Sequence, residues 1–225
     1  WLPILALLCL GNILYCGLVA MRQRDLNLLI GNSSVAHMGF VFLGIASVTT
    51  IGLTGAVMVM VAHGLLAGLA FGLSGYLYSQ ARTLDMEKLQ GLLASMPFWG
   101  TLMIMALMAG CGLPGFANFA GELTVFFGAW KVYPVITTIG IWSALVIGAV
   151  YMLRAIRTLL HGMKGEQTPE VEDLKHWQRL PYALLVAVLL LFGFYPKLIT
   201  DKISKSNATF EQAKKGQAPT EEATE

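Results

Sequence analysis

The chain has 225 residues, of which 56% are hydrophobic and 12% are charged, whereas charged residues make up about 25% of an ordinary water-soluble domain. Its 15 Lys and Arg residues nearly balance its 13 Asp and Glu residues, for a formal net charge of +2. This composition excludes an ordinary soluble domain, and it provides no basic surface for nucleic acid. We therefore predict an all-α protein embedded in the lipid bilayer.

The three cysteines give no sign of a cofactor. Cys9, Cys16 and Cys111 are odd in number, lie in apolar stretches and have no metal-ligand spacing. A cysteine in such surroundings behaves as a small hydrophobic residue. We therefore predict neither a disulfide scaffold, nor a metal site, nor a redox cofactor in this chain.

The charged residues are confined to short intervals, and long apolar stretches separate them. Crossing a hydrocarbon core of about 30 Å takes about 20 helical residues. The pattern predicts about six transmembrane helices, followed by a polar and flexible tail at 201–225. The predicted spans lie near 1–21, 26–48, 51–78, 97–130, 134–160 and 180–200. Because the chain begins with Trp1 and enters apolar sequence at once, we interpret it as a piece of a longer polypeptide, and we do not interpret its first residues as a signal peptide.

The fourth predicted span is too long for one straight crossing. Its 34 residues would make a helix of about 51 Å, yet they are too few for two crossings with a turn. The segment Gly112-Leu113-Pro114-Gly115 lies near its middle, and both proline and glycine weaken a helix there. We predict a discontinuous helix whose break faces a polar internal cavity, because lipid cannot hydrogen-bond the freed backbone groups.

The third predicted span carries glycines at intervals of four residues. Gly64, Gly68 and Gly72 would lie along one side of the helix. Small residues spaced in this way let two helices approach closely in a membrane. We interpret the stripe as a packing surface without a further function.

The positive charges predict the orientation of the spans. Nine Lys and Arg residues follow the first, third and fifth spans, whereas the alternate loops carry only Lys131. Cytoplasmic loops of membrane proteins carry the excess of positive charge. We therefore predict a multi-pass protein of a bacterial inner membrane, with its C-terminal tail on the non-cytoplasmic side. The nine residues are Arg22, Arg24, Arg82, Lys88, Arg154, Arg157, Lys164, Lys175 and Arg179.

Among the acidic residues and the histidines, only Glu122, His37 and His63 fall inside the predicted spans. A charged, unpaired carboxylate costs several kcal/mol at this depth, so such a residue is usually paired or used for proton movement. Imidazole exchanges protons near neutral pH. The three residues are therefore our candidate catalytic residues, as a proton relay. The alternative is that Glu122 stays neutral and bonds a neighbouring helix, while each histidine bonds a carbonyl in a packed bundle.

Several motifs together resemble the M-type antiporter-like subunit of respiratory complex I, the proton-translocating NADH-quinone oxidoreductase. The resemblance covers about residues 20 to 160, with a weaker match in GFYP at 193–196. Each motif is weak alone, but their order and spacing are specific. They are SSVAHMG at 33–39, AHG at 62–64, LDM at 84–86, GL at 91–92, MP at 96–97, GLPG at 112–115 and NFAGE at 118–122.

The resemblance implies a fold and a set of roles. Members of that family have fourteen transmembrane helices built on two inverted repeats of five, each with a discontinuous helix. This chain resembles the second repeat plus the final helix. By the same resemblance, Glu122 matches a carboxylate near the exit to the outer aqueous side, and His37 and His63 match histidines of the central axis. The implied function is proton translocation by a subunit without its own redox centre, within an enzyme whose other membrane-arm subunits are its partners.

Two departures leave alternatives open. The family usually reads Asp-x-Lys-Arg where this chain reads Asp25-Leu26-Asn27-Leu28, a change that could affect proton entry or subunit contact. The first repeat is missing, so it would lie elsewhere in a longer chain or in a separate one. The alternatives are a subunit of a multisubunit sodium/proton antiporter or membrane-bound hydrogenase, and a scaffold that no longer pumps.

Overall fold

The computed structural model describes residues 1–162, 170–203 and 206. Within these residues the named elements are all helices, and the longer helices pack into a bundle. Five of them are long and apolar enough to cross a membrane, namely α1, α2, α3, α7 and α8. The prediction of an all-α membrane protein is confirmed. The helices are α1 (Leu2–Arg22), α2 (Leu26–Ala46), α3 (Thr50–Ala81), α4 (Leu92–Ser95), α5 (Pro97–Gly110), α6 (Ala117–Trp130), α7 (Pro134–Leu160) and α8 (His176–Phe194).

Capping residues set the beginnings of several helices. The Asp25 carboxylate accepts a hydrogen bond from the Leu28 N–H at 3.0 Å. Helix α2 begins at Leu26, directly after this capping residue. Thr49 does the same for α3 through the Gly52 N–H. Both α5 and α7 begin with a proline, which fits the first turn because its missing N–H would have no helical partner there.

The predicted fourth span is two short helices with a break between them. Helix α5 ends at Gly110 and α6 begins at Ala117. Gly112 and Gly115 have φ angles of +74° and +105°, which favour glycine because it has no Cβ. The break also packs against the end of α8, where a Cβ on Gly193 would collide with the Gly115 carbonyl. The predicted discontinuous helix is therefore confirmed, and α8 covers part of its backbone.

Glycines bring α3 and α6 together, but they are not the predicted ones. A Cβ on Gly55 would lie 2.5 Å from the Val125 nitrogen, and one on Gly121 would lie 2.9 Å from the Val59 nitrogen. In contrast, Gly64 and Gly68 have no atom within 4 Å of that position. Within the described residues, Gly64 and Gly68 therefore make no close contact with another helix. Their spacing defines a side of the helix, but the neighbouring helices decide which side is covered.

The last predicted span is shifted. The sequence predicts a span near 180–200, whereas α8 begins at His176 and ends at Phe194. The polar first turn is stabilised by the Gln178 side chain, which accepts the Lys175 N–H at 3.0 Å. After Pro196 a second helical segment runs over 197–203. Of the predicted tail at 201–225, residues 201–203 and 206 are helical, and the remainder lies outside the described residues.

The loops predicted to be cytoplasmic gather at one end of the bundle. The Arg154 guanidinium donates to the Gln23 carbonyl, and Arg24 lies 3.5 Å from the Glu87 carboxylate. The connection after α1 also pairs with the connection after α3, where the Leu26 N–H donates to the Leu84 carbonyl at 3.0 Å. These contacts place the positively charged ends of the helices on one face of the molecule.

Candidate functional site

Glu122 and His37 form a buried pair in the middle of the bundle. The His37 Nε2 and Glu122 Oε1 atoms are 3.2 Å apart, and their side chains are 8% and 18% exposed. Glu122 comes from the second half of the discontinuous helix and His37 from α2. The atoms lie at ion-pair distance without hydrogen-bond alignment, since Oε1 has no hydrogen-bond partner. The structure thus brings together two of the three predicted residues.

The backbone determines which nitrogen of His37 faces the carboxyl group. His37 Nδ1 lies 2.7 Å from the Ser33 carbonyl oxygen, and a carbonyl can only accept, so Nδ1 carries a proton. Nε2 then faces Glu122 as the exchangeable nitrogen. Between them, Nε2 and the carboxyl group can hold one proton, either on the ring or on the carboxyl group. This arrangement is suited to passing a proton from one residue to the other.

His63 stacks on His37 from the neighbouring helix α3. The two ring centroids are 5.1 Å apart and the ring planes meet at 28°. His63 Nδ1 is buried and has no hydrogen-bond partner. His63 also lines a small cavity of about 20 Å³ beside Ser33 and Ser34, which is enough for about one water molecule. All three predicted residues therefore lie in one cluster, with His37 between His63 and Glu122.

A larger cavity of about 190 Å³ lies on the other side of the cluster, beside the helix break. Its polar side chains are His37, Glu122 and Tyr151, and Gly110 and Gly112 of the break also line it. The rest of its wall consists mostly of apolar side chains from α1, α2, α6 and α7. The expectation of a polar cavity at the break is therefore wrong in its polarity, because large apolar residues of the surrounding helices fill most of the wall.

Sequence reasoning missed Asn118 as a candidate site residue. Asn118 is fully buried on α6, and neither of its amide atoms has a hydrogen-bond partner. Asn27, which stands where the resembling family has lysine, accepts a hydrogen bond from the Ser74 hydroxyl. An amide inside a predicted membrane span is a usable signal for such residues, because it needs a partner that lipid cannot supply.

The described residues offer no metal site. Across residues 1–162 and 170–203, no group of three or more His, Cys, Asp or Glu side chains is arranged to hold an ion. The imidazole and carboxyl groups of this cluster can exchange protons with each other.

Comparison with known proteins gives a consistent family. Residues 1–148 match the family model described as "NADH:quinone oxidoreductase/Mrp antiporter, TM". The chain is 39% identical over 199 residues to NADH-quinone oxidoreductase subunit M of Pseudomonas aeruginosa, covering 88% of this chain and 39% of that protein. It is 36% identical over 212 residues to NAD(P)H-quinone oxidoreductase chain 4 1 of a Picosynechococcus species, with the same coverage of each. The chain thus spans about two fifths of the length of these relatives.

Solved structures show a similar fold. A chain of respiratory complex I from Thermus thermophilus with bound NADH superposes with a TM-score of 0.85 at 30% identity, covering 90% of this chain and 43% of that chain. A chain of the Mrp complex from a Dietzia species superposes with a TM-score of 0.83 at 16% identity, covering 93% of this chain and 47% of that one. The second likeness concerns the fold alone.

Proposed function

This chain belongs to the NADH:quinone oxidoreductase/Mrp antiporter membrane family, and from that premise we propose that it forms part of a proton-translocating subunit of an NADH-quinone oxidoreductase. Relatives that are 36% and 39% identical carry quinone-oxidoreductase names, which supports this proposal over the sodium/proton antiporter and hydrogenase alternatives. The enzymatic reaction would belong to the whole complex. In this proposal the chain holds no redox centre, and its partners are the other membrane subunits.

The observation that carries the proposal is the close approach of His37 Nε2 to the Glu122 carboxyl group. The Ser33 carbonyl holds Nδ1 protonated, so only Nε2 can exchange a proton with the carboxyl group 3.2 Å away. A structural role for Glu122 needs no exchangeable partner, whereas a relay does. An imidazole next to the carboxyl group also favours the proton over a sodium ion as the transported species.

The two cavities suggest the direction of the path. The small cavity at His63 would receive a proton from the end of the bundle that carries the arginines, which we assign to the cytoplasm. The proton would then pass from His63 to His37 and on to Glu122. From Glu122 it would leave through the larger cavity beside the helix break. Water in that cavity would complete the hydrogen-bonded chain that proton transfer needs.

The experiment compares Glu122→Gln with Glu122→Asp in the full-length subunit, within its assembled complex in sealed membrane vesicles. Quinone reduction and proton uptake are measured together. Glutamine keeps the shape of the side chain but cannot take up a proton, so we expect Glu122→Gln to assemble and to lose most of its proton uptake. Aspartate keeps an ionisable group, so Glu122→Asp should retain part of it.

A structural role for Glu122 predicts the reverse order. Glutamine can replace a neutral carboxyl group in hydrogen bonding, whereas the shorter aspartate side chain loses its contact. Normal proton uptake in Glu122→Gln would therefore refute the proposed function, including its role for His37.

A further inference from the structure

Unpaired buried polar atoms are concentrated around the relay. In the part of the chain that the structure describes, five buried side-chain atoms lack a hydrogen-bond partner. Four of them belong to Asn118, His63 and Glu122, and the fifth is the hydroxyl oxygen of Thr137. Leaving a buried polar group without a partner is energetically costly. Such a concentration in one region indicates that these groups serve a common ligand.

The packing of α3 against α6 brings Asn118 to the level of His63. The two helices run antiparallel, with Gly55 opposite Val125 and Val59 opposite Gly121. One further turn in the same register would place Asn118 opposite Ala62, the residue that precedes His63 on α3. Asn118 lies in this interface and is fully buried.

The helix α6 also brings Asn118 next to Glu122. Residues four apart on a helix have Cβ atoms about 5–6 Å from each other, so these two side chains are neighbours. Glu122 in turn faces His37, which stacks on His63. Asn118 therefore lies between the two ends of the predicted relay, on a different helix from either histidine.

We propose that Asn118 is a positioning residue of the proton path, which binds water between the His63 Nδ1 atom and the Glu122 carboxyl group. Its amide can donate from Nδ2 and accept at Oδ1, so it can orient a water molecule without taking up a proton. A buried water typically makes about three hydrogen bonds, and these three residues supply that number. The proposal rests on the proposed function of His63 and Glu122, and it adds a second connection between them beside the one through His37.

The test uses Asn118→Leu and Asn118→Ser in the full-length subunit, with Thr137→Val as the matched control. Thr137 is also fully buried with an unpaired polar atom, but it belongs to α7 and not to the interface between α3 and α6. Leucine is close to asparagine in size and binds no water, so Asn118→Leu should slow proton uptake per electron by roughly tenfold, as the loss of about 1.4 kcal/mol would do. Serine retains a hydroxyl group and should restore part of the rate. Thr137→Val should pump normally.

A spectroscopic measurement separates positioning from a purely structural role. The infrared band of the protonated Glu122 carboxyl group is identified by its disappearance in Glu122→Gln. We expect Asn118→Leu and Asn118→Ser to shift this band, because both change the hydrogen bonding around the carboxyl group, and Thr137→Val to leave it in place. If Asn118→Leu prevents assembly of the complex, proton uptake and the position of the Glu122 band are compared in Asn118→Ser instead.

Two results would count against the inference. Normal proton uptake together with an unshifted Glu122 band in the Asn118 variants overturns it, as does an equal loss of pumping in Thr137→Val. The outcome for Glu122→Gln keeps the two proposals apart. If that variant pumps normally, the proposed function fails, whereas if it is impaired while the Asn118 variants are normal, only the role of Asn118 fails.

Discussion

His37 is oriented by hydrogen bonds within α2, and the residue that holds it is bonded in turn to α7. The Ser33 carbonyl accepts from His37 Nδ1 at 2.7 Å. The hydroxyl group of the same serine accepts from the Tyr151 hydroxyl at 2.9 Å. All three residues are buried. The position of the exchangeable nitrogen of His37 therefore depends on α7 as well as on α2.

We expect Tyr151→Phe to lower the free energy of unfolding by about 1 kcal/mol, because it removes one hydrogen bond and leaves the buried Ser33 hydroxyl without its donor. The thermal midpoint of the purified subunit measures the change. Tyr15→Phe is the matched control, since Tyr15 lies on a helix surface with 71% exposure. Equal midpoints for the two variants would show that the Tyr151 hydroxyl does not stabilise the site.

At the level of elements, the connection before α8 caps α5, the first half of the discontinuous helix. The Asp173 carboxylate accepts the Phe98 N–H at 2.8 Å and the Trp99 N–H at 3.0 Å. These are free N–H groups of the first turn of α5, which has no side-chain cap of its own. The connection before α8 thus caps the helix whose other end forms the break beside Glu122.

We expect Asp173→Ala to destabilise the protein by about 1–2 kcal/mol, which is the usual effect of losing a helix N-cap. Resistance of the α5 region to hydrogen exchange measures the local effect, and the thermal midpoint measures the global one. Glu172→Ala controls for loss of a neighbouring carboxylate, because Glu172 is exposed and contacts Tyr76 through its backbone carbonyl. Equal hydrogen-exchange rates of α5 in Asp173→Ala and Glu172→Ala would show that the Asp173 cap does not stabilise this helix.

Across the whole molecule, the distribution of charge separates two ends of the bundle. One end carries Arg24, Glu87 and Arg154, which join the connections between helices. The opposite end carries the short turn after α6 with Lys131. An excess of Lys and Arg is typical of cytoplasmic loops, so we predict that the first end faces the cytoplasm.

Cysteine labelling tests this orientation. We expect Glu87→Cys in intact cells to be protected from a membrane-impermeant thiol reagent, and Val132→Cys to react with it, since both positions are exposed at opposite ends. The protein without an added cysteine measures the background labelling of the native cysteines. Of these, Cys9 and Cys16 are buried and Cys111 is half-buried. Labelling of Glu87→Cys but not of Val132→Cys would reverse the assigned orientation.

The amino-acid sequence was sufficient for the class of fold and for the position of the break. Long apolar stretches require helices in lipid, because only a helix satisfies its own backbone there. The pattern Gly112-Leu113-Pro114-Gly115 is local, and its effect on the backbone does not depend on distant residues. The rarity of ionisable groups inside the spans also singled out His37, His63 and Glu122, although their role as a relay stays a prediction.

Tertiary structure alone decided which side of each helix is covered and which polar groups meet. The periodicity of Gly64, Gly68 and Gly72 defines a helix side, but Gly55 and Gly121 make the close contact because α3 crosses α6 at another position. For the same reason the sequence could not show that His37 lies between His63 and Glu122, or that Asn118 is fully buried without a hydrogen-bond partner. Such contacts depend on the relative rotation and register of separate helices, which arise from the packing of all of them together.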